Sequence, residues 1–169
     1  MKFFSEIKAF EDEFDVFHLP KARIIGKEVR NGGSLGNTAP TLWTEMFESG
    51  AIDVLTALPH ILNDSLFGWT CEYAPDTDTF VYIVCALTPA DTPVPDGFIC
   101  RDIPETLCAK GLYGEGMPKT LERIEFLGYT PNWEPYGWNA ELYLQAEEDN
   151  PPKQVDTPWH WIVPVKKNV

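Results

Sequence analysis

Gly68-Trp69-Thr70-Cys71-Glu72 returns in the second half of the chain as Gly137-Trp138-Asn139-Ala140-Glu141, with glycine, tryptophan and glutamate at fixed positions. A second echo precedes it. His18-Leu19-Pro20 with Ile24-Ile25-Gly26-Lys27 parallels Asp102-Ile103-Pro104 with Leu107-Cys108-Ala109-Lys110. Two such matches in the same order mark an internal duplication, and the copies set the units from which the fold is built.

Outward from these anchors, each copy reads as strand, helix, strand, strand. In the first, an extended segment over 15–30, with Pro20 near its start, ends at the turn residues Asn31-Gly32-Gly33. A helix opens at Thr38 and Pro40 and closes at Gly50, with Leu42/Met46 and Trp43/Phe47 as i,i+4 pairs. Asn63-Asp64 breaks the chain before strands at 65–73 and 79–88, which are joined by Ala74-Pro75-Asp76. The Pro-rich stretch 89–97 connects to a strand over 98–113, with Pro104 near its start. A helix then runs from Pro118 to Gly128, striped by Leu121, Ile124 and Leu127. The loop 129–136, a strand at 137–145, an acidic turn at 147–152 and a strand at 157–166 complete the second copy. Phe3, Phe4, Ile7, Phe10 and Phe14 have helical spacing and predict a short N-terminal helix over 3–14. The expected architecture is α+β: one domain over 1–169, with βαββ halves at about 15–88 and 98–167. The halves are related by a pseudo-two-fold axis, share an antiparallel sheet with two helices, and leave a ligand cleft where they meet.

The bulk numbers agree with one domain and narrow the function. At 169 residues and 44% hydrophobic, the chain buries enough surface to fold without metal or disulfide. Its net charge of −13 repels phosphate backbones, and no basic run offers a nucleic-acid footprint. The same charge keeps a protein soluble, and it also concentrates cations near a cleft. Cys71, Cys85, Cys100 and Cys108 match neither a CxxC nor a zinc spacing and read as buried thiols on strands. The N-terminus lacks a signal-peptide core, and no stretch is apolar for the length of a membrane span, so a cytoplasmic protein is expected.

The chemistry concentrates near Glu141. On a strand, Asn139, Glu141 and Tyr143 share one face, and no basic residue lies between Arg123 and Lys153 to pair with the glutamate nearby. Turned outward, Glu141 is an ordinary solvated carboxylate. Turned into the cleft, it is desolvated and its pKa rises. The duplication and the density of aromatics favour the cleft. Trp43, Phe47, Tyr73, Tyr82, Tyr113, Trp133, Tyr143 and Trp161 are the candidate wall, although aromatics also serve simply as core. A carboxylate among aromatic faces suits a hydrophobic organic cation, because each desolvated ring contributes about 0.5–2 kcal/mol. An inorganic cation needs an oxygen cluster, which is not seen. His18, His60 and His160 are isolated, and no nucleophile elbow, phosphate loop or dinucleotide fingerprint occurs, so neither metal nor cofactor is expected.

Tyr82 to Leu87, Val94-Pro95-Asp96-Gly97-Phe98, Ile103-Pro104, Trp133 and Glu141-Leu142-Tyr143 resemble the GyrI-like effector-binding domains of AraC- and MerR-type regulators. The resemblance spans about residues 15 to 167 and implies the duplicated βαββ fold. It further implies binding of amphiphilic, often cationic, small molecules. The family's E-x-Tyr pattern falls on Glu141 and Tyr143, and its first-helix aromatic on Trp43. Regulator members also carry a DNA-binding helix-turn-helix domain, for which there is no room before residue 15. A stand-alone form is therefore expected, one that senses or sequesters a ligand without touching nucleic acid.

The leading reading is a binding module for hydrophobic cations rather than an enzyme. Two alternatives remain open. One is a hydrolase of small electrophiles with Glu141 as general base and Tyr143 as proton donor. The other is an acidic module that docks on a separate protein partner, as gyrase-binding members of the resembled family do.

Overall fold

The computed structural model describes residues 14–62, 65–133, 137–143, 149, 151–155 and 157–169. The helix expected over 3–14 lies outside these residues, apart from Phe14. So do the break at Asn63-Asp64, residues 134–136 of the loop and half of the 147–152 turn.

Nine strands and three helices form the described fold, a curled antiparallel half-barrel of mixed α+β class. In chain order these are β1 (Phe14–Leu19), β2 (Ala22–Gly32), α1 (Ala39–Glu48), α2 (Ala51–Thr56), β3 (Leu66–Ala74) and β4 (Thr79–Pro89). There follow β5 (Ile99–Ile103), β6 (Thr106–Leu112), α3 (Met117–Phe126), β7 (Tyr129–Pro131), β8 (Asn139–Tyr143) and β9 (His160–Lys167). The sheet order is β1-β6-β9-β8-β3-β4-β2-β5, with β7 added beside β9.

That order is symmetric about the β3–β8 seam. There Thr70 lies opposite Asn139, the third residue of each copy of the motif. The two motif tryptophans, Trp69 and Trp138, therefore approach each other across the pseudo-axis. Their rings stack at 4.3 Å and 28°, and each is only 2% exposed. The repeated tryptophan is the hinge pin of the duplication, packed where the halves join.

Two long strands expected from the sequence are each broken in two. The prolines explain the breaks, since a residue without an N–H cannot donate to a ladder. Pro20 separates β1 from β2, and Pro104 separates β5 from β6. At each corner the leading strand leaves its own half and pairs with the other: Leu19 lies opposite Thr106, and Ile103 opposite Ala22. This reciprocal exchange of edge strands ties the halves together.

One face of the sheet packs strand against strand. Ile24, Ile83, Phe67, Leu142, Ile162 and Cys108 form a core drawn from both halves. The other face carries the helices. Leu42, Trp43 and Met46 of α1, with Ile52 and Leu55 of α2, cover the first half over Tyr82, Val84 and Tyr143. Ile124 of α3 covers the second half over Ala109, Val163 and Val165. The helix α2 was not expected from the sequence. Gly50, at φ 79, ends α1 in a left-handed turn and caps α2, so one glycine closes one helix and opens the next. Cys71, Cys85 and Cys108 are buried free thiols, whereas Cys100, on the sheet-edge strand β5, is only half buried. Burial pushes the Cys71 thiol up to about 12, with help from the neighbouring Glu72 carboxylate. Among the described residues, no helix is long and apolar enough to cross a membrane.

Candidate functional site

Between α1 and the β3–β8 seam lies a cavity of about 510 Å³. Its base is β8. Period-two alternation puts Glu141 and Tyr143 on the same face, and the Tyr143 hydroxyl donates to Glu141 Oε2 at 2.7 Å. A second hydroxyl arrives from two strands away. Tyr82, on β4, donates to the same oxygen at 3.4 Å and accepts from Trp43 Nε1 at 3.0 Å. Trp43 also lies against Tyr143, with ring centroids 4.6 Å apart. The result is a chain from indole to phenol to carboxylate, with its rings on the cavity wall.

Gly68 makes this chain possible. It lies opposite Glu141 in the β3–β8 register, and a Cβ there would sit 2.0 Å from the Tyr82 hydroxyl. The tyrosine ring crosses β3 through the gap left by the absent side chain. Gly68→Ala is expected to cost about 1–3 kcal/mol by overpacking and to displace Tyr82 from Glu141. Urea denaturation checks the first effect, and an unchanged midpoint would show that Tyr82 has another resting place.

Burial raises the pKa of Glu141 above the ordinary glutamate value, although its hydrogen bonds from Tyr143 and Tyr82 pull it back down. Burial likewise raises Tyr143 and Tyr82, so both phenols stay protonated and act as donors. Among the described residues no Lys, Arg or His forms an ion pair with Glu141. Glu141 is also the only Asp, Glu, Lys, Arg or His among the described residues that line the cavity.

Its counterpart in the repeat has a different fate. At Cys71–Ala74 the β3–β4 register shifts, and Glu72 takes a positive φ of 53. The bulge breaks the alternation, so Cys71 and Glu72 both line a smaller cavity of about 260 Å³ beside Trp69 and Trp138. There Glu72 pairs with Arg101 at 3.1 Å, and the same guanidinium holds Glu28 at 2.7 Å. One motif glutamate is thus paired with an arginine, while the other is half-buried with no cation beside it among the described residues.

Of the residues singled out from the sequence, Trp43, Tyr82, Tyr113, Glu141 and Tyr143 meet at the cavity. The other four stand elsewhere. Phe47 packs behind Trp43 at 6.4 Å, and Trp161 packs behind Tyr113 at 4.4 Å. Tyr73 is 58% exposed and donates to Asp78, and Trp133 is 42% exposed. The sequence reading did not single out Asn31, Asn37, Thr70, Phe80 and Gln154, which also line the cavity. Only Thr70 carried a signal, as a strand neighbour of Gly68 on the same face. Asn31 read as a turn residue and nothing more. Among the described residues, no group of three or more His, Cys, Asp or Glu side chains is placed to hold a metal.

A family model described as "integron-associated effector binding protein", Cass2, matches residues 15–158. No curated protein matches the chain. Several solved structures share the fold. SAV2435, whose structure was determined bound to tetraphenylphosphonium, is 12% identical with a TM-score of 0.59, covering 92% of this chain and 94% of that one. The C-terminal domain of EcmrR is 15% identical with a TM-score of 0.54, over 91% and 97%. A bacterial transcription regulation protein from Staphylococcus aureus MU50 is 12% identical with a TM-score of 0.53, over 91% and 98%.

Proposed function

The chain belongs to the Cass2 family of integron-associated effector binding proteins, which are GyrI-like, and from that premise we propose that it binds hydrophobic organic cations in the Glu141 cavity. One observation carries the reading: a half-buried carboxylate held by two tyrosines, walled by aromatic rings and given no cation among the described residues. A desolvated charge in that state is costly, and a ligand that brings the opposite charge with apolar surface relieves the cost. Trp43, Tyr113 and the two tyrosines on Glu141 would supply cation–π and apolar contact, each ring worth about 0.5–2 kcal/mol. At about 510 Å³ the cavity suits a drug-sized molecule. That SAV2435, with this fold, was determined bound to a lipophilic phosphonium supports the ligand class. The protein would act as a cytoplasmic sensor or sequestering module, its charge of −13 raising the local cation concentration.

The raised pKa of Glu141 makes the reading testable through pH. The bound cation prefers the ionised carboxylate, and the free protein holds its proton to a higher pH than an ordinary glutamate at 4.5. Affinity for tetraphenylphosphonium is therefore expected to climb as pH rises from 4.5 through the shifted pKa, then level off, with proton release on binding. The free fold runs the opposite way. The neutral form of Glu141 is favoured by burial, so its contribution to stability is full below the unfolded pKa and is lost as pH rises through the folded one. Tryptophan fluorescence titrations across pH 4–8 check the binding arm. An affinity flat over that range would remove Glu141 from the binding reaction.

A further inference from the structure

The cavity has a second chemical pole, on the side of β2 and the start of α1. Asn37 stands just before α1. Its Oδ1 accepts from the Ala39 N–H at 3.3 Å and from Asn31 Nδ2 at 3.3 Å. Asn31 is itself held, since its Oδ1 accepts from the Thr38 N–H at 3.2 Å and it is only 6% exposed. Two donors converging on one oxygen fix which end of the Asn37 amide is which. The NH2 end is left over: all the hydrogen bonds of Asn37 among the described residues fall on Oδ1. Asn37 lines the same cavity as Glu141. The sheet order sets the separation. Glu141 is on β8 and Asn31 on β2, three strands apart along β8-β3-β4-β2, or roughly 14 Å at ordinary strand spacing.

We infer that the ligand is an amphiphilic monocation whose far end carries a neutral hydrogen-bond acceptor, such as a carbonyl, taken by the Asn37 amide. This rests on the cation-binding reading above and names the class of molecule within it. A wholly apolar cation satisfies the carboxylate pole but strips water from the Asn37 NH2 without replacing its acceptor, which opposes binding. A carboxylate at that end is disfavoured by the overall charge of −13 and by Glu141. Thr70 and Gln154, elsewhere on the same wall, add neutral polar groups and no cation.

The test compares two probes of matched length, a trimethyl(phenylalkyl)ammonium and its counterpart whose distal ring carries an acetyl group. The wild-type protein is expected to bind the acetyl compound about fivefold more tightly, the worth of one well-placed hydrogen bond. Asn37→Asp keeps the oxygen that caps α1 but removes both donors, and in it the ratio is expected to fall to about one or below. Asn37→Ala is expected to abolish the preference as well. Glu141→Gln is expected to weaken both probes while leaving their ratio at about five. If the acetyl group gives no advantage while Glu141→Gln still weakens both probes, the acceptor pole is overturned and the cation site stands. The same holds if the advantage survives in Asn37→Asp. If Glu141→Gln weakens neither probe, the cation site itself falls.

Discussion

Glu141→Gln is expected to weaken tetraphenylphosphonium binding by at least about tenfold and to leave a neutral triaryl phosphine oxide little changed. The substitution is nearly isosteric. The amide oxygen still accepts from Tyr143 and Tyr82, so the indole–phenol network that shapes the cavity is kept. What disappears is the charge. Two opposite charges about 4 Å apart in a half-buried site attract by about 4 kcal/mol, part of which is lost to desolvation of the ligand. A remainder of about 1.4 kcal/mol already gives the tenfold. The same change is expected to stabilise the free protein at neutral pH, because a carboxylate whose pKa is raised by burial costs folding energy when ionised. Fluorescence titration and thermal melting read the two effects separately. Equal cation affinity in both proteins would overturn the role given to Glu141.

Trp69→Ala and Trp138→Ala are each expected to cost about 3–5 kcal/mol of folding stability, a large share of what a domain of this size possesses. Both rings are 2% exposed, and they stack on one another at the seam between the halves. Removing either opens a cavity in the core that both halves share. The double variant is expected to fall short of the summed losses by about 0.5–1.5 kcal/mol, because the second truncation removes a partner already gone. Denaturant unfolding of the four proteins completes the cycle. Additive costs would mean that the tryptophans stabilise their own halves rather than the joint. Cation affinity separates this effect from the site: the stacked pair is on the opposite face from Glu141, so variants that still fold are expected to bind tetraphenylphosphonium normally.

Much of this molecule was legible in the chain because its signals are local. Alternation with a period of two places Glu141 and Tyr143 on one face, and they are hydrogen-bonded there. Pro118 and Gly128 bracket α3 to within two residues. The motif around Trp69 and Trp138 announced the duplication, and its register puts the pseudo-axis between β3 and β8. Other features escaped because nothing local encodes them. Pro20 and Pro104 were read as lying within continuous strands, and nothing local shows that the piece before each proline crosses to the other half. The bulge at Glu72 reverses a side chain that alternation would have placed beside its twin. The stretch from Ala51 to Thr56 is too short for a helical stripe to stand out, and α2 is held by burial of Ile52 and Leu55.

The sequence by itself determined that there are two βαββ copies, that one glutamate of the repeated motif has a tyrosine on its own face, and that no cation lies near it along the chain. Only the tertiary structure decided what that glutamate meets. Tyr82 reaches it across 59 residues, Trp43 arrives on a helix from the other half, and the Asn31–Asn37 pair joins the cavity from three strands away. The physical reason is that strand pairing brings together residues distant in the chain, and a strand records which face a side chain takes but not which neighbour it will find. Glu141 and Glu72 carry the same motif, and a single bulge together with Arg101, three strands away on β5, separates a pocket carboxylate from one held in an ion-pair cluster.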